Sequence, residues 1–167
     1  ALEVVPAFML TEGPYWICDT TGGGRYKTTH PKAEIAAVAE SDQKTNGNTR
    51  ALIRMMKRWQ EYCSVPLKSF WLELLAIEFL TTWPHAGHSS VYYDWMVRDF
   101  FGFLVSKAGL YVFVPGTWDL VWLGDAWKSR AESAQGRAKK ACELEGEFTC
   151  LAGDEWQKVF GALIPMC

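Results

Sequence analysis

Apolar positions along this chain recur mostly at spacings of three and four, and the pattern predicts six helices. They fall near residues 31–41, 48–63, 67–82, 91–107, 125–146 and 152–163. The second is the clearest amphipath: Ala51, Leu52, Met55, Met56 and Trp59 make one face, and Arg54, Lys57, Arg58 and Glu61 fill the rest. Pro66 then resets the chain, because proline fits a first turn but not a helix interior. The third pattern carries Phe70, Trp71, Leu72, Leu74, Leu75, Ile77, Phe79 and Leu80 and is apolar on most sides, so it is expected to be central and buried. The fifth opens on Asp125, a capping residue type, and its many alanines predict a small-residue packing face.

Strand signals are fewer. Residues 2–8, LEVVPAF, are apolar and β-branched, as in a buried strand, and residues 20–29, with three consecutive glycines, read as a loop. Residues 111–114 and 118–122 flank Pro-Gly-Thr and predict a short hairpin.

Composition narrows the classes. At 167 residues and 49% hydrophobic, the chain can bury one core and is short for two. Seventeen basic against nineteen acidic residues give a net charge of −2 with no long run of one sign. That leaves little electrostatic drive toward a nucleic-acid backbone or an anionic membrane, so any phosphate binding must be local. No run of about 18 apolar residues and no basic segment followed by an apolar one is present, which reads as a cytoplasmic protein. Cys18, Cys63, Cys142, Cys150 and Cys167 are odd in number and lack CxxC spacing, so free thiols are expected.

Candidate chemistry starts at the entrance of the third helix. Lys68 and Ser69 place a cation and a hydroxyl beside free backbone N–H groups, a setting that can hold phosphate. Gly22, Gly23 and Gly24 allow a backbone to approach a ligand, or mark an exposed loop. His85, His88 and Asp94 are badly spaced for a tetrahedral metal site, and no cysteine stands near them in sequence. The aromatic residues Trp83, Tyr92, Tyr93, Trp95, Phe100, Phe101 and Phe103 read as packing between helices.

Four collinear blocks then carry a resemblance: LEVVPAF at 2–8, DTTGGGRYKTTHPKAE at 19–34, LIRMMKRW through LKSFWLELL at 52–75, and PGTWDLVWLGDAWKSRAESAQGRAKKACELE at 115–145. Together they resemble the oligoadenylate synthase and cyclic GMP-AMP synthase superfamily, and most of all the bacterial CD-NTases. The resemblance implies a mostly α fold, α+β in the intact enzyme. Residues 1–30 would be the end of the catalytic palm, one strand plus the Gly-rich loop, and residues 31–167 a helical nucleotide-binding C-terminal domain that includes the hairpin. It also implies Mg²⁺ or Mn²⁺, and ATP or another nucleoside triphosphate as substrate. The product would be a cyclic di- or trinucleotide, made in antiphage signalling.

Residue by residue, Glu3 matches the third metal-binding, catalytic carboxylate of that family, although aspartate is commoner there; the other reading is the exposed end of a strand. The Gly-Ser loop and the Asp-x-Asp pair that complete a two-metal site are not in the sequence. The chain therefore reads as the carboxyl-terminal part of such an enzyme, expected to be inactive alone, with the remaining half or a regulatory protein as partner. Lys57 matches the lysine that contacts the donor triphosphate, or else lies on a solvated basic edge. Lys68 and Ser69 match the phosphate side of the donor site, and Phe70 the ring that stacks on the donor base, with a core phenylalanine as the alternative. Tyr26, Lys27 and Thr29 line up with the segment that reads the acceptor base; lysine in place of arginine loses bidentate readout. Asp19 and Thr20, just before the glycines, contact the nucleotide or simply cap the turn. Two other functions stay open: a catalytically dead helical module that binds nucleotide or a partner, and a polymerase of linear oligoadenylate or poly(A) type, which a net charge of −2 does not favour.

Overall fold

The computed structural model describes residues 4–11, 13–20, 23–117 and 119–165. Three short strands come first: β1 (Ala7–Met9), β2 (Tyr15–Asp19) and β3 (Arg25–Thr29). They form an antiparallel sheet in the order β1-β2-β3. Six helices follow, α1 (Pro31–Lys44), α2 (Asn48–Tyr62), α3 (Ser69–Thr82), α4 (Tyr93–Ser106), α5 (Lys128–Leu144) and α6 (Thr149–Phe160). A 3₁₀ turn at Ser90–Tyr92 precedes α4, and the antiparallel hairpin of β4 (Tyr111–Phe113) and β5 (Leu120–Trp122) lies between α4 and α5. The mostly helical architecture is the expected one.

The helical core follows from the apolar stripes. Leu52, Met56 and Trp59 of α2 are fully buried, while Arg54 on the opposite face is exposed. On α3, Leu72, Leu74, Leu75, Ala76, Phe79 and Leu80 are buried, and the helix touches α1, α2, α4 and β4. A helix with neighbours on several sides needs apolar residues on several sides, which is what its sequence shows. On α5, Ala131, Ala134, Ala138 and Ala141 recur at three and four and are all buried, which lets α4 and α6 pack closely against it. Trp127 is 1% exposed just before α5, and its indole N–H donates to the Leu123 carbonyl at 2.8 Å, so its one polar atom is satisfied.

The hairpin is held in place by a glycine. Gly116 has φ +84°, and a Cβ built there would stand 2.6 Å from Ala33 Cβ and 3.0 Å from His30 Cβ. The β4–β5 turn therefore rests directly on the start of α1. His30 also caps that helix, its Nδ1 accepting from the Ala33 N–H at 3.2 Å.

Several expectations are corrected. The strand expected at 2–8 was to be buried; β1 begins at Ala7, all three of its residues are exposed, and Val4 and Val5 are 77% and 53% exposed. The physical reason is position, since β1 is an edge strand that pairs only with β2 among the described residues. The loop expected over 20–29 is shorter, because Arg25–Thr29 pairs residue for residue with Tyr15–Asp19. Tyr26, Thr28 and Thr29 suit a pleated strand, and Gly23 and Gly24, both at positive φ, lie just before it. Strand β2 was not anticipated. Asp125 does not cap α5 through its side chain; its carbonyl accepts from the Lys128 N–H at 2.9 Å in a turn before the helix. Cys18, Cys63 and Cys142 are free, as expected, but Cys150 is disulfide-bonded, a pairing made by the fold that sequence spacing does not reveal. Among the described residues, no helix is long and apolar enough to cross a membrane.

Candidate functional site

The far end of the β2–β3 hairpin, the entrance of α3 and the start of β5 enclose an open cleft of about 770 Å³. Ile17, Cys18, Asp19 and Thr20 come from β2 and its turn, Arg25, Tyr26, Lys27 and Thr28 from β3, Lys68 from the residue before α3, and Asp119, Leu120 and Val121 from the second hairpin. Segments distant in sequence thus bring three cations, Arg25, Lys27 and Lys68, together with two carboxylates, Asp19 and Asp119.

The cations are not equivalent. Arg25 Nε lies 3.2 Å from Asp19 Oδ2, so its charge is matched across the strand pair. Lys27 forms no ion pair with the described residues. Lys68 Nζ lies 5.2 Å from the centre of the Trp71 ring, a cation–π contact that holds the ammonium at the helix entrance without neutralising it. Lys68 has extended backbone and no side-chain cap, and its carbonyl accepts from the Trp71 and Leu72 N–H groups. The N–H groups of Ser69 and Phe70 have no acceptor among the described residues, so the first turn of α3 presents donors and a helix dipole next to an ammonium.

Tyr26 is 63% exposed and stacks on Trp16, with ring centres 5.9 Å apart and planes 28° apart, and it meets Phe8 edge-on at 6.4 Å. Alternation along the sheet puts Phe8, Trp16 and Tyr26 on one face and Ile17, Asp19, Arg25 and Lys27 on the other. The exposed aromatic row is therefore the reverse of the face that carries Lys27, Arg25 and Asp19.

The fold gathers some expected site residues and leaves others aside. Tyr26, Lys27 and Lys68 line the cleft, together with Asp19 and Thr20. Thr29 faces α1, its hydroxyl donating to Glu34 at 3.3 Å. Lys57 points to α3, where its ammonium meets Glu73 at 2.5 Å. Ser69 donates to Gln60 Oε1 at 2.7 Å, and the Gln60 amide in turn donates to the Leu67 carbonyl, which fixes the turn between α2 and α3. Phe70 is half-buried against the helical core. Glu3 lies outside the described residues. Among the described residues, no group of three or more histidine, cysteine, aspartate or glutamate side chains could hold a metal ion. His85 and His88 pack in an aromatic cluster with ring centres 4.9 Å apart, and Tyr92 stacks on His85 at 5.6 Å.

Sequence reasoning missed Arg25, Cys18 and Asp119 as lining residues. The alternating run Tyr15-Trp16-Ile17-Cys18-Asp19 after Gly13-Pro14 was the available signal for β2, and with β2 recognised, Cys18 falls on it and Arg25 across from Asp19. Nothing local in the sequence brings Asp119 there, since its position depends on the hairpin docking onto α1.

No protein-family model matches the chain. A protein of Bacillus cereus strain VD146, named as a probable cyclic nucleotide synthase, is 27% identical over 104 residues, which is 60% of this chain and 29% of that protein. The aligned part thus spans less than a third of that relative. This partial likeness points to a CD-NTase-like relationship.

Proposed function

We propose that this chain is the helical, carboxyl-terminal portion of a CD-NTase-type nucleotidyltransferase that joins nucleoside triphosphates into cyclic di- or trinucleotides, with the β-sheet as the end of its catalytic palm. The observation that supports the reading is the cleft, whose lining includes Lys27, expected on the acceptor side, and Lys68, expected on the donor side. A nucleotide there would place phosphate oxygens toward Lys27, Lys68 and the N–H groups of Ser69 and Phe70. Likeness to a probable cyclic nucleotide synthase supports the same reaction class.

The chemistry of such a transfer needs divalent metal, which would neutralise the leaving pyrophosphate and activate the attacking hydroxyl. The described residues include no group of three or more histidine, cysteine, aspartate or glutamate side chains that could hold such an ion. In the proposed enzyme Glu3 would contribute one carboxylate and the rest would come from the other part of the protein. What this chain's own residues would do is bind and orient, with Lys27 and Lys68 supplying charge. Lys57, held by Glu73, would act by exchanging that carboxylate for a phosphate when nucleotide binds.

A catalytically silent nucleotide-binding module is the second reading. It is favoured by the engagement of both Lys57 and Ser69 with protein partners. Thin-layer analysis of labelled nucleoside triphosphates with Mg²⁺ or Mn²⁺ separates the two. Full-length protein is expected to make a cyclic product and release pyrophosphate, and the 167-residue chain to make none. Full-length protein that binds nucleotide without turnover would establish the silent module instead.

A further inference from the structure

A second, smaller cavity of about 120 Å³ opens between α2, α5 and α6 and has no part in the proposed transfer reaction. Its floor is apolar, made by Trp59, Ala134 and Val159, and its rim is Arg130, Ser133, Arg137 and Lys158. Arg130, Ser133 and Arg137 fall three and four apart on α5, so they line one stripe of that helix, and Lys158 faces them from α6.

The charges around this cavity do not balance. Glu155 is buried and is shared by Arg137, Lys140 and Lys158 at 3.0, 2.7 and 3.1 Å. Asp154 takes a second contact from Lys158 at 2.6 Å. Of the three cations on the rim, Arg137 and Lys158 are paired with these carboxylates, while Arg130 has no carboxylate partner among the described residues. Its guanidinium donates once, to the Cys63 carbonyl, and its other N–H groups are unused. Ser133 makes no hydrogen bond to the described residues. Cys63 adds no nucleophile: its thiol donates to the Val159 carbonyl at 3.6 Å.

We infer that this cavity is a binding site for a phosphate group, with Arg130 and Ser133 as its principal donors and Arg137 and Lys158 supplying positive potential. A guanidinium fork, a hydroxyl and an ammonium converge on a space that admits a small anion, and the several oxygens of a phosphate can take the unpaired Arg130 fork and the Ser133 hydroxyl together. The site abuts Cys63 at the start of the turn that leads to Lys68, so its occupant would sit against the link between α2 and α3. The inference does not depend on the proposed transferase activity.

Isothermal titration of this chain with inorganic phosphate, pyrophosphate and AMP, each against chloride at matched ionic strength, tests it and separates free phosphate from a phosphate ester. Saturable binding in at least one arm is expected. Arg130→Gln and Ser133→Ala, both at exposed positions, should each weaken it by about tenfold, with circular dichroism confirming the fold. All titrations use the Lys68→Ala background, which weakens the separate cleft, so that the signal read is that of this cavity. No saturable binding above chloride in any arm would overturn the proposal, as would binding that survives both α5 variants.

Discussion

Replacing Glu155 by glutamine would remove the charge that ties α5 to α6 while keeping the side chain's shape. Glu155 is 4% exposed, and its carboxylate accepts from Lys140, Arg137 and Lys158. The Lys140 hydrogen bond is the largest influence, and with Lys158 and Arg137 it outweighs burial and holds the carboxyl at a pKa of about 2 against an ordinary 4.5. A depression of that size corresponds to about 3 kcal/mol at neutral pH. The cationic partners are 40–61% exposed, so solvent screening reduces the expected loss in Glu155→Gln to about 2 kcal/mol. The sign follows from the direction of the shift. A carboxyl whose folded-state pKa is lowered stabilises the protein above its unfolded-state pKa, and that stabilisation disappears as pH falls from 4.5 toward 2. Urea unfolding of both proteins, at neutral pH and in steps down to about pH 2, should show a constant gap that then closes across the acid range. A gap below about 0.5 kcal/mol at neutral pH, or one that stays constant through acid, would refute the reasoning.

Other consequences are equally direct. Gly116→Val should destabilise by about 2 kcal/mol or more, since a positive φ and a 2.6 Å approach to Ala33 Cβ both oppose a side chain; thermal unfolding reports it, and nucleotide binding should weaken as Asp119, Leu120 and Val121 leave the cleft. Burial, joined by the neighbouring Asp94 charge, pushes the Cys142 thiol up to about 12, and burial raises Cys63 as well, so peptide mapping after brief alkylation at mildly alkaline pH should find Cys18 modified before either. Loss of Lys27 should change which nucleotide is incorporated by full-length enzyme, by about 1–3 kcal/mol of discrimination, more than it changes the rate; product ratios from an equimolar mixture of four nucleotides check this, and an unchanged ratio with a uniformly lower rate would place Lys27 elsewhere.

The helical part of the fold was legible because each helix carries its own period. The face of α2 built on Leu52, Met56 and Trp59, the all-round apolar α3 and the alanine stripe of α5 can be read without knowing their neighbours. The sheet was not. Its strands are three to five residues long, β1 and β3 are edges with exposed side chains, and RYKTT in β3 shows no apolar alternation to distinguish it from a polar loop. The site divides the same way. Tyr26, Lys27 and Lys68 could be named from local sequence, but the partners that occupy Lys57 and Ser69 are 16 and 9 residues away and become neighbours only when α2 packs on α3. Likewise Asp119 reaches the cleft only because Gly116 lets the second hairpin rest on α1.

The central claim is that the cleft between the sheet and the entrance of α3 binds a nucleotide, and a titration of this chain with a fluorescent ATP analogue tests it most directly. Saturable binding is predicted, weakened by about tenfold in Lys68→Ala and in Lys27→Ala through loss of a charge-assisted phosphate contact. Absence of binding, or binding indifferent to both cleft variants, would contradict it.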